Sequence, residues 1–240
     1  MRRNLSFVGA ILSCVFVCNL VVAQNIATTP TEKKDGWWQT RHAQKCEQAA
    51  KGDVDIVFLG DSITHFWEGN GKSVFDKYYK DYNVLNLGFS ADRTEHVLWR
   101  LNNGEIDGIA PKMLVLMIGT NNVGHGSTNP AQTIEGIQAI LETLGEKLPN
   151  TKVLLLAVFP RSEKPTDALR VKVEEINAGL PALCDNERVF FLNFNDQFLT
   201  KEGILTREIM PDLLHPGAAG YEIWANAIQP YVEKWVSDAK

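Results

Sequence analysis

Cysteine is scarce in this sequence, and so is positive charge. Of four cysteines, Cys14 and Cys18 fall within the first 23 residues, which leaves Cys46 and Cys184 for the rest of the chain. Two distant cysteines exclude a disulfide scaffold, and they read as two buried thiols rather than as one bridge. Lysine and arginine number 24 against 29 acids, and the formal net charge is −5 at pH 7. No basic cluster breaks this balance, which argues against nucleic acid or an anionic membrane surface as partner. The five histidines and the carboxylates are dispersed, without the close spacing of a metal site. Internal repeats and low-complexity stretches are missing too.

Long apolar runs are missing except at the start. Arg2 and Arg3 precede an apolar stretch over residues 7–22, which closes on Val21-Val22-Ala23 before Gln24. A basic start, a short apolar core and small residues before the break predict a secretory signal over residues 1–23, cleaved after Ala23. An uncleaved anchor is the competing reading, although Ser13 and Asn19 interrupt the run. Cys18 follows Val17 rather than a small residue, so a lipoprotein cleavage site is not expected. The leader holds two arginines and no acid, so the mature chain carries −7 and belongs in a secreted or periplasmic setting.

Residues 24–36 are polar and read as a tether, and residues 37–240 as a single domain. Residues 37–50 predict an amphipathic helix outside the main sheet. Beyond them, short apolar runs alternate with helical patterns. Strands are expected at 54–59, 83–87, 113–118, 152–158 and 189–192. Helices are expected at 73–82, 93–103, 130–148 and 167–184, with a last one beginning near Pro216. This alternation predicts an α/β fold with a five-stranded parallel sheet covered by helices on both faces. In such sheets ligands bind at the carboxyl ends of the strands.

Three strand ends and one late turn carry candidate chemistry. The first strand runs into Gly60-Asp61-Ser62, where Ser62 would open a helix. There it is either a displayed nucleophile or, with Asp61, an ordinary helix cap. Gly88, past the second strand, either allows close approach of a ligand or serves a plain turn. Asn121, past the third, either projects its amide as a donor or forms an Asx turn. In Asp212-Leu213-Leu214-His215-Pro216 the proline favours an extended His215, and Asp212 is near enough to orient its ring. A surface turn with an incidental histidine is the alternative. Together the four fragments supply a hydroxyl, a base, an orienting carboxylate and neutral donors, the parts that acyl transfer needs.

These fragments stand in the blocks "FLGDSIT", "NLGFSADRTEHVLWRL", "VLMIGTNN" and "DLLHP", with "RLNNGEI" and "FPR" between them. In these the chain resembles the SGNH (GDSL-type) hydrolase superfamily, and within it the platelet-activating-factor acetylhydrolase-like esterases. The resemblance implies a flavodoxin-like three-layer α/β/α sandwich and no metal or cofactor. It implies Ser62 as nucleophile, His215 as base and Asp212 as its orienting acid. It implies an oxyanion hole made by the Ser62 and Gly88 N–H groups and the Asn121 side chain. Asn122 stands where many members have an acid. The acetylhydrolase-like animal subunits associate in pairs, which leaves a homodimer open.

The expected activity is a secreted serine esterase removing short acyl groups, chiefly acetyl, from carbohydrate or polysaccharide esters. An acetylhydrolase or lysophospholipase acting on lipid esters is the nearest alternative, and a non-catalytic carbohydrate-binding module the more distant one. His65, His96 and His125 are assigned no catalytic role. Trp37 and Trp38 read as packing of the N-terminal helix, with a sugar-stacking platform as the alternative.

Overall fold

The computed structural model describes residues 24–237. The expected signal over residues 1–23 lies outside the described residues. The five apolar runs form β1 (Ile56–Gly60), β2 (Val84–Gly88), β3 (Met113–Met117), β4 (Lys152–Leu156) and β5 (Val189–Leu192), all parallel and in the order β2-β1-β3-β4-β5. Successive side chains point to opposite faces, so each strand feeds two cores. Val57, Leu59, Leu114, Leu116, Val153 and Leu155 face one core. It is closed by α4 (Thr94–Asn102), α6 (Pro130–Lys147) and α7 (Ala168–Gly179). Ile56, Phe58, Val115, Leu154 and Leu156 face the other, closed by α3 (Lys72–Tyr79) and α8 (Ala218–Val232). The result is the expected three-layer sandwich.

The register aligns Gly60 with Gly88 and with Met117, so β1, β2 and β3 end level with one another. The strand order reverses at β1, which opens a crevice at their carboxyl ends. Two single-turn helices follow directly there, α2 (Ser62–His65) and α5 (Thr120–Gly124). α1 (Gly36–Ala49) lies across the same end, beside β2.

Some boundaries differ from expectation for identifiable reasons. β4 stops at Leu156 because the Asn177 side chain takes both the Val158 N–H (2.7 Å) and the Val158 carbonyl (2.9 Å). α7 stops at Gly179 and tightens into a 3-10 turn, Leu180–Leu183, where Pro181 lacks the N–H a helix interior needs. α8 begins after Gly217, so Pro216 precedes the helix instead of opening it. Cys46 and Cys184 are both free and half-buried.

The segment expected to be a tether is docked. Ala27 is fully buried, its carbonyl accepts the Thr94 hydroxyl at 2.9 Å, and Thr31 N–H donates to the Glu95 carbonyl at 3.0 Å. Gly136 on α6 makes room for this, since a Cβ there would lie 2.7 Å from the Ala27 carbonyl. Polar composition concealed the docking because its partners are distant in sequence.

Candidate active site

The serine and the cap at the end of β1 turn out to be two residues. Asp61 Oδ1 accepts the Ile63 N–H at 3.0 Å and caps α2, which leaves the Ser62 hydroxyl uncommitted. Ser62 is 7% exposed, and its Oγ lies 2.8 Å from His215 Nε2. The other ring nitrogen, Nδ1, lies 2.6 Å from Asp212 Oδ2. The carboxylate accepts at that contact, so Nδ1 carries the proton and Nε2 accepts from the serine hydroxyl.

Asp212 is itself held. Its Oδ1 accepts the backbone N–H groups of Leu214 (3.0 Å) and His215 (2.7 Å). Partial burial pushes this carboxyl up, but the His215 N–H and the His215 ring more than reverse that, and its pKa falls below the ordinary value. Ionised Asp212 is what a histidine base needs as a partner. The loop carrying both residues is strained at Leu213 (φ 62°). The Leu213 carbonyl accepts the N–H of Ser162, which is also left-handed (φ 64°), at 2.9 Å. Backbone strain of this kind persists only where surrounding structure enforces it.

Asn121, in α5, is 7% exposed and donates one amide hydrogen to the Asp92 carbonyl at 2.9 Å, leaving the second hydrogen uncommitted. Its neighbour Asn122 is fully buried and structural. The Asn122 Oδ1 accepts the Thr94 N–H at 3.1 Å, where α4 begins.

Gly88 does not fit the donor role expected of it. Its N–H is taken by Asn86 Oδ1 at 2.8 Å, and its carbonyl accepts from Arg41 Nε at 2.9 Å. A Cβ at this position would lie 2.1 Å from the His65 nitrogen, so glycine is required for α2 to pack on β2. Three residues on, the Asp92 N–H bonds the Phe89 carbonyl at 3.1 Å and closes a turn over Ser90 and Ala91. Ala91 is left-handed (φ 60°), a conformation glycine adopts at less cost. The N–H groups of Ser90 and Ala91 have no protein acceptor among the described residues. Sequence reading missed this turn, because nothing in an alanine announces a positive φ.

A buried polar cluster supports the turn. Asp92, Arg100 and Glu105 are each fully buried, and the Arg100 guanidinium bonds both carboxylates. Trp38 Nε1 donates to Asp92 Oδ1 at 2.8 Å, and the Arg100 guanidinium lies 4.0 Å from the Phe89 ring centre. Burial pushes the Asp92 carboxyl up to about 6, against the pull of Arg100 and Trp38.

The remaining four histidines lie off the Ser62–His215–Asp212 line, and His42 Nδ1 lies 3.0 Å from Glu105 Oε1. His65 Nδ1 lies 3.0 Å from Ser90 Oγ, and burial lowers its pKa to about 4. His96 Nδ1 accepts the Arg93 N–H at 3.0 Å, and burial lowers it to about 3. His125 is exposed. Trp38 is packed as expected, whereas Trp37 is 46% exposed.

The profile of the GDSL-like Lipase/Acylhydrolase family matches residues 58–223. The alpha1 subunit of Homo sapiens platelet-activating factor acetylhydrolase IB is 32% identical over 203 residues, covering 82% of this chain and 85% of the relative. A crystal structure of a GDSL-like lipase from Bacteroides thetaiotaomicron superposes with a TM-score of 0.67 at 26% identity, covering 81% of this chain and 97% of that one. An acetyl xylan esterase shares the fold, with a TM-score of 0.64 at 20% identity over 75% of this chain and all of its own. The ordered motifs, the sheet order and these matches agree: the chain belongs to the GDSL-like lipase/acylhydrolase family and is a carboxylic ester hydrolase.

Proposed function

We propose that this esterase removes short acyl groups, chiefly acetyl, from carbohydrate esters outside the cytoplasm, through an acyl-serine intermediate on Ser62. The observation that carries the catalytic part is the line from Ser62 Oγ to His215 Nε2 (2.8 Å) and from His215 Nδ1 to Asp212 Oδ2 (2.6 Å).

In this reading the Ser62 hydroxyl gives its proton to His215 Nε2 as Oγ bonds to the ester carbonyl carbon. Negative charge builds on the carbonyl oxygen. The Ser62 N–H at the start of α2, the second Asn121 amide hydrogen and the N–H groups of the Ser90–Ala91 turn are the donors for it. Each such donor is worth about 10²–10³ in rate. The ester C–O bond then breaks, and the leaving alcohol takes the proton from His215. Water repeats the sequence on the acyl-serine: its proton goes to His215, its oxygen to the acyl carbon, and Ser62 recovers its hydrogen.

Short acyl groups are favoured by the surface chemistry. Among the described residues the exposed large apolar side chains are Ile26, Trp37 and Val171, on three separate elements, and the apolar residues flanking Ser62 and His215, such as Phe66 and Leu214, are half-buried. A polar alcohol fits the acidic chain, and the leader-like residues 1–23 fit an extracytoplasmic enzyme. The second reading, a lipid acetylhydrolase, is favoured by the 32% identity to a platelet-activating factor acetylhydrolase subunit.

Ser62→Ala is expected to lose at least about 10³-fold of the activity on ethyl acetate and all labelling by a fluorophosphonate. Wild-type-like turnover by this variant would overturn the assignment. Export predicts a mature protein whose first residue is Gln24, which N-terminal sequencing of the material outside the cells reads directly.

A further inference from the structure

Three aromatic neighbours lead outward from the base. The Phe66 ring lies 5.1 Å from that of His215, His65 lies 5.9 Å from Phe66, and Trp37 lies 6.3 Å from His65 with the planes within 17° of parallel. Phe66 and His65 are half-buried, and Trp37, in the first turn of α1, is the exposed end of the series. Packing does not account for this exposure, because the adjacent Trp38 already anchors α1 from a fully buried position. Trp37 also lies outside the residues that the family profile matches.

The indole is held in place and surrounded by polar groups. Its neighbour His65 is tied to Ser90 Oγ. Lys33 Nζ donates to the Ser90 carbonyl at 3.3 Å and lies 5.7 Å from the Trp37 ring centre. Below them Arg41 grips both oxygens of Glu68, at 2.8 and 2.9 Å, and Lys45 Nζ adds a third bond at 3.0 Å. Glu68 remains 40% exposed, so its carboxylate is fixed and still open to a hydroxyl donor. Arg41 and Lys45 share the one Glu68 carboxylate, and the exposed features are one flat apolar ring and fixed hydrogen-bonding groups.

We propose that Trp37, with His65 and the Arg41–Glu68 pair, forms a sugar subsite that holds an acetylated oligosaccharide one or two rings away from the ester being cleaved. This rests on the esterase reading above and specifies where the alcohol lies. A pyranose presents axial C–H bonds to an aromatic face and hydroxyls around its edge, which is what an indole beside a held carboxylate accommodates. A long alkyl chain gains little from a single ring bordered by ionised side chains. A choline headgroup is recognised by a cage of several aromatic faces, and Trp37 is the single large aromatic side chain exposed among the described residues. Phe66 and His65 stand between the His215 ring and Trp37, so the subsite lies beyond the ring that carries the ester being cleaved.

The test compares kcat/KM for acetylated xylotriose with kcat/KM for ethyl acetate, in the wild type, Trp37→Ala, Trp37→Phe and the remote surface variant Val171→Ala. Trp37→Ala is expected to lower the ratio of the two by about tenfold, mainly through KM, as loss of one aromatic stacking contact implies. Trp37→Phe is expected to recover part of it and Val171→Ala to leave it unchanged. An unchanged ratio in Trp37→Ala would overturn the subsite. So would a selective KM increase on an acetylated choline lysophospholipid, which would assign Trp37 to a lipid headgroup. Binding of unacetylated xylotriose to the Ser62→Ala protein by calorimetry is a readout independent of turnover. It is expected to weaken about tenfold when Trp37→Ala is added. Equal affinity with and without Trp37 refutes the proposal, whereas inactivity of the wild type on ethyl acetate would count against the esterase reading alone.

Discussion

Asn121 Nδ2 donates to the Asp92 carbonyl at 2.9 Å, so the amide assigned to the oxyanion hangs from the residue that also receives Trp38 and Arg100. Two consequences follow from this one contact. The amide is oriented before substrate arrives, and its orientation depends on a turn braced by α1. Preorganised donors of this kind act on the transition state more than on the bound ester.

Replacing Asn121 with alanine is therefore expected to lower kcat on a short-chain ester by about 10²-fold or more, with KM moved less than about threefold. Stopped-assay kinetics at saturating and limiting substrate separate the two parameters. A variant that lost KM alone would make Asn121 a ground-state contact and remove it from the oxyanion hole.

The two small residues of the second block are expected to respond in opposite directions. Gly88→Ala drives a Cβ to 2.1 Å from the His65 nitrogen and 2.5 Å from the Thr64 carbonyl carbon, both backbone atoms of α2. The cost is expected to reach or exceed the ~1–3 kcal/mol of ordinary overpacking, lowering Tm by several degrees or preventing folding. Ala91→Gly relieves a left-handed alanine (φ 60°) and is expected to be neutral or stabilising by up to ~1 kcal/mol. Thermal denaturation of the two proteins checks both signs. A tolerated Gly88→Ala would mean that α2 yields, and that the glycine is kept for another reason.

These two positions also mark the limit of what was legible in the sequence. Ser62, His215, Asp212 and Asn121 would act through their side chains, and a strand end or a proline marked each as a candidate beside a structural alternative. A backbone donor has no such signature. Gly88 looked suited to the role because it follows a strand, yet the contact that requires glycine there is with α2, a neighbour only in space. Ala91 was invisible because its φ is imposed by the Phe89–Asp92 turn. The same reasoning applies to the fold. Continuous apolar runs announced all five strands, but the end of β4 is set by Asn177 and the docking of residues 25–31 by Gly136 and Thr94. Trp37 and Trp38, alike in sequence, differ because one reaches Asp92 and the other does not.

Asp61 provides a pH signature. Burial raises its carboxyl from the ordinary 3.8 to about 7, opposed by the Ile63 N–H that it caps. A carboxyl whose folded pKa lies above its unfolded one favours the folded state when protonated. That stability is full below about pH 4 and is lost as pH rises through about 7. Asp61→Asn keeps a good cap acceptor and removes the charge. Between pH 5 and pH 8 the wild type is expected to lose on the order of 3–6 °C of Tm relative to the asparagine variant. Asp92, pushed up to about 6, titrates in the same range and its charge helps to raise Asp61, so the difference between the two proteins reports Asp61 together with its coupling to Asp92. Parallel Tm curves for the two would show that Asp61 stays ionised when buried.

Arg170 extends the support to the other side of the crevice. It is 2% exposed, and no carboxylate forms an ion pair with it among the described residues. Its Nε and Nη2 instead donate to the Arg161 and Ser162 carbonyls, at 2.9 and 3.0 Å. Ser162 N–H then holds Leu213, beside Asp212, while Arg161 Nη1 bonds the Thr120 carbonyl at 3.0 Å, next to Asn121. The loop after β4 thus bridges the His215 loop and the Asn121 helix, and Arg170 fixes that loop. Arg170→Met strips the donors from two carbonyls, at about 1–3 kcal/mol for each group left unsatisfied. The expected result is a lower Tm together with a kcat reduced about tenfold at temperatures where the variant is folded, and KM little changed. Arg170→Lys, which offers fewer donors in a less fixed geometry, is expected to recover only part of kcat. If Tm fell while kcat of the folded variant stayed at the wild-type value, Arg170 would be a stability residue, and the strain at Ser162 and Leu213 would owe nothing to it.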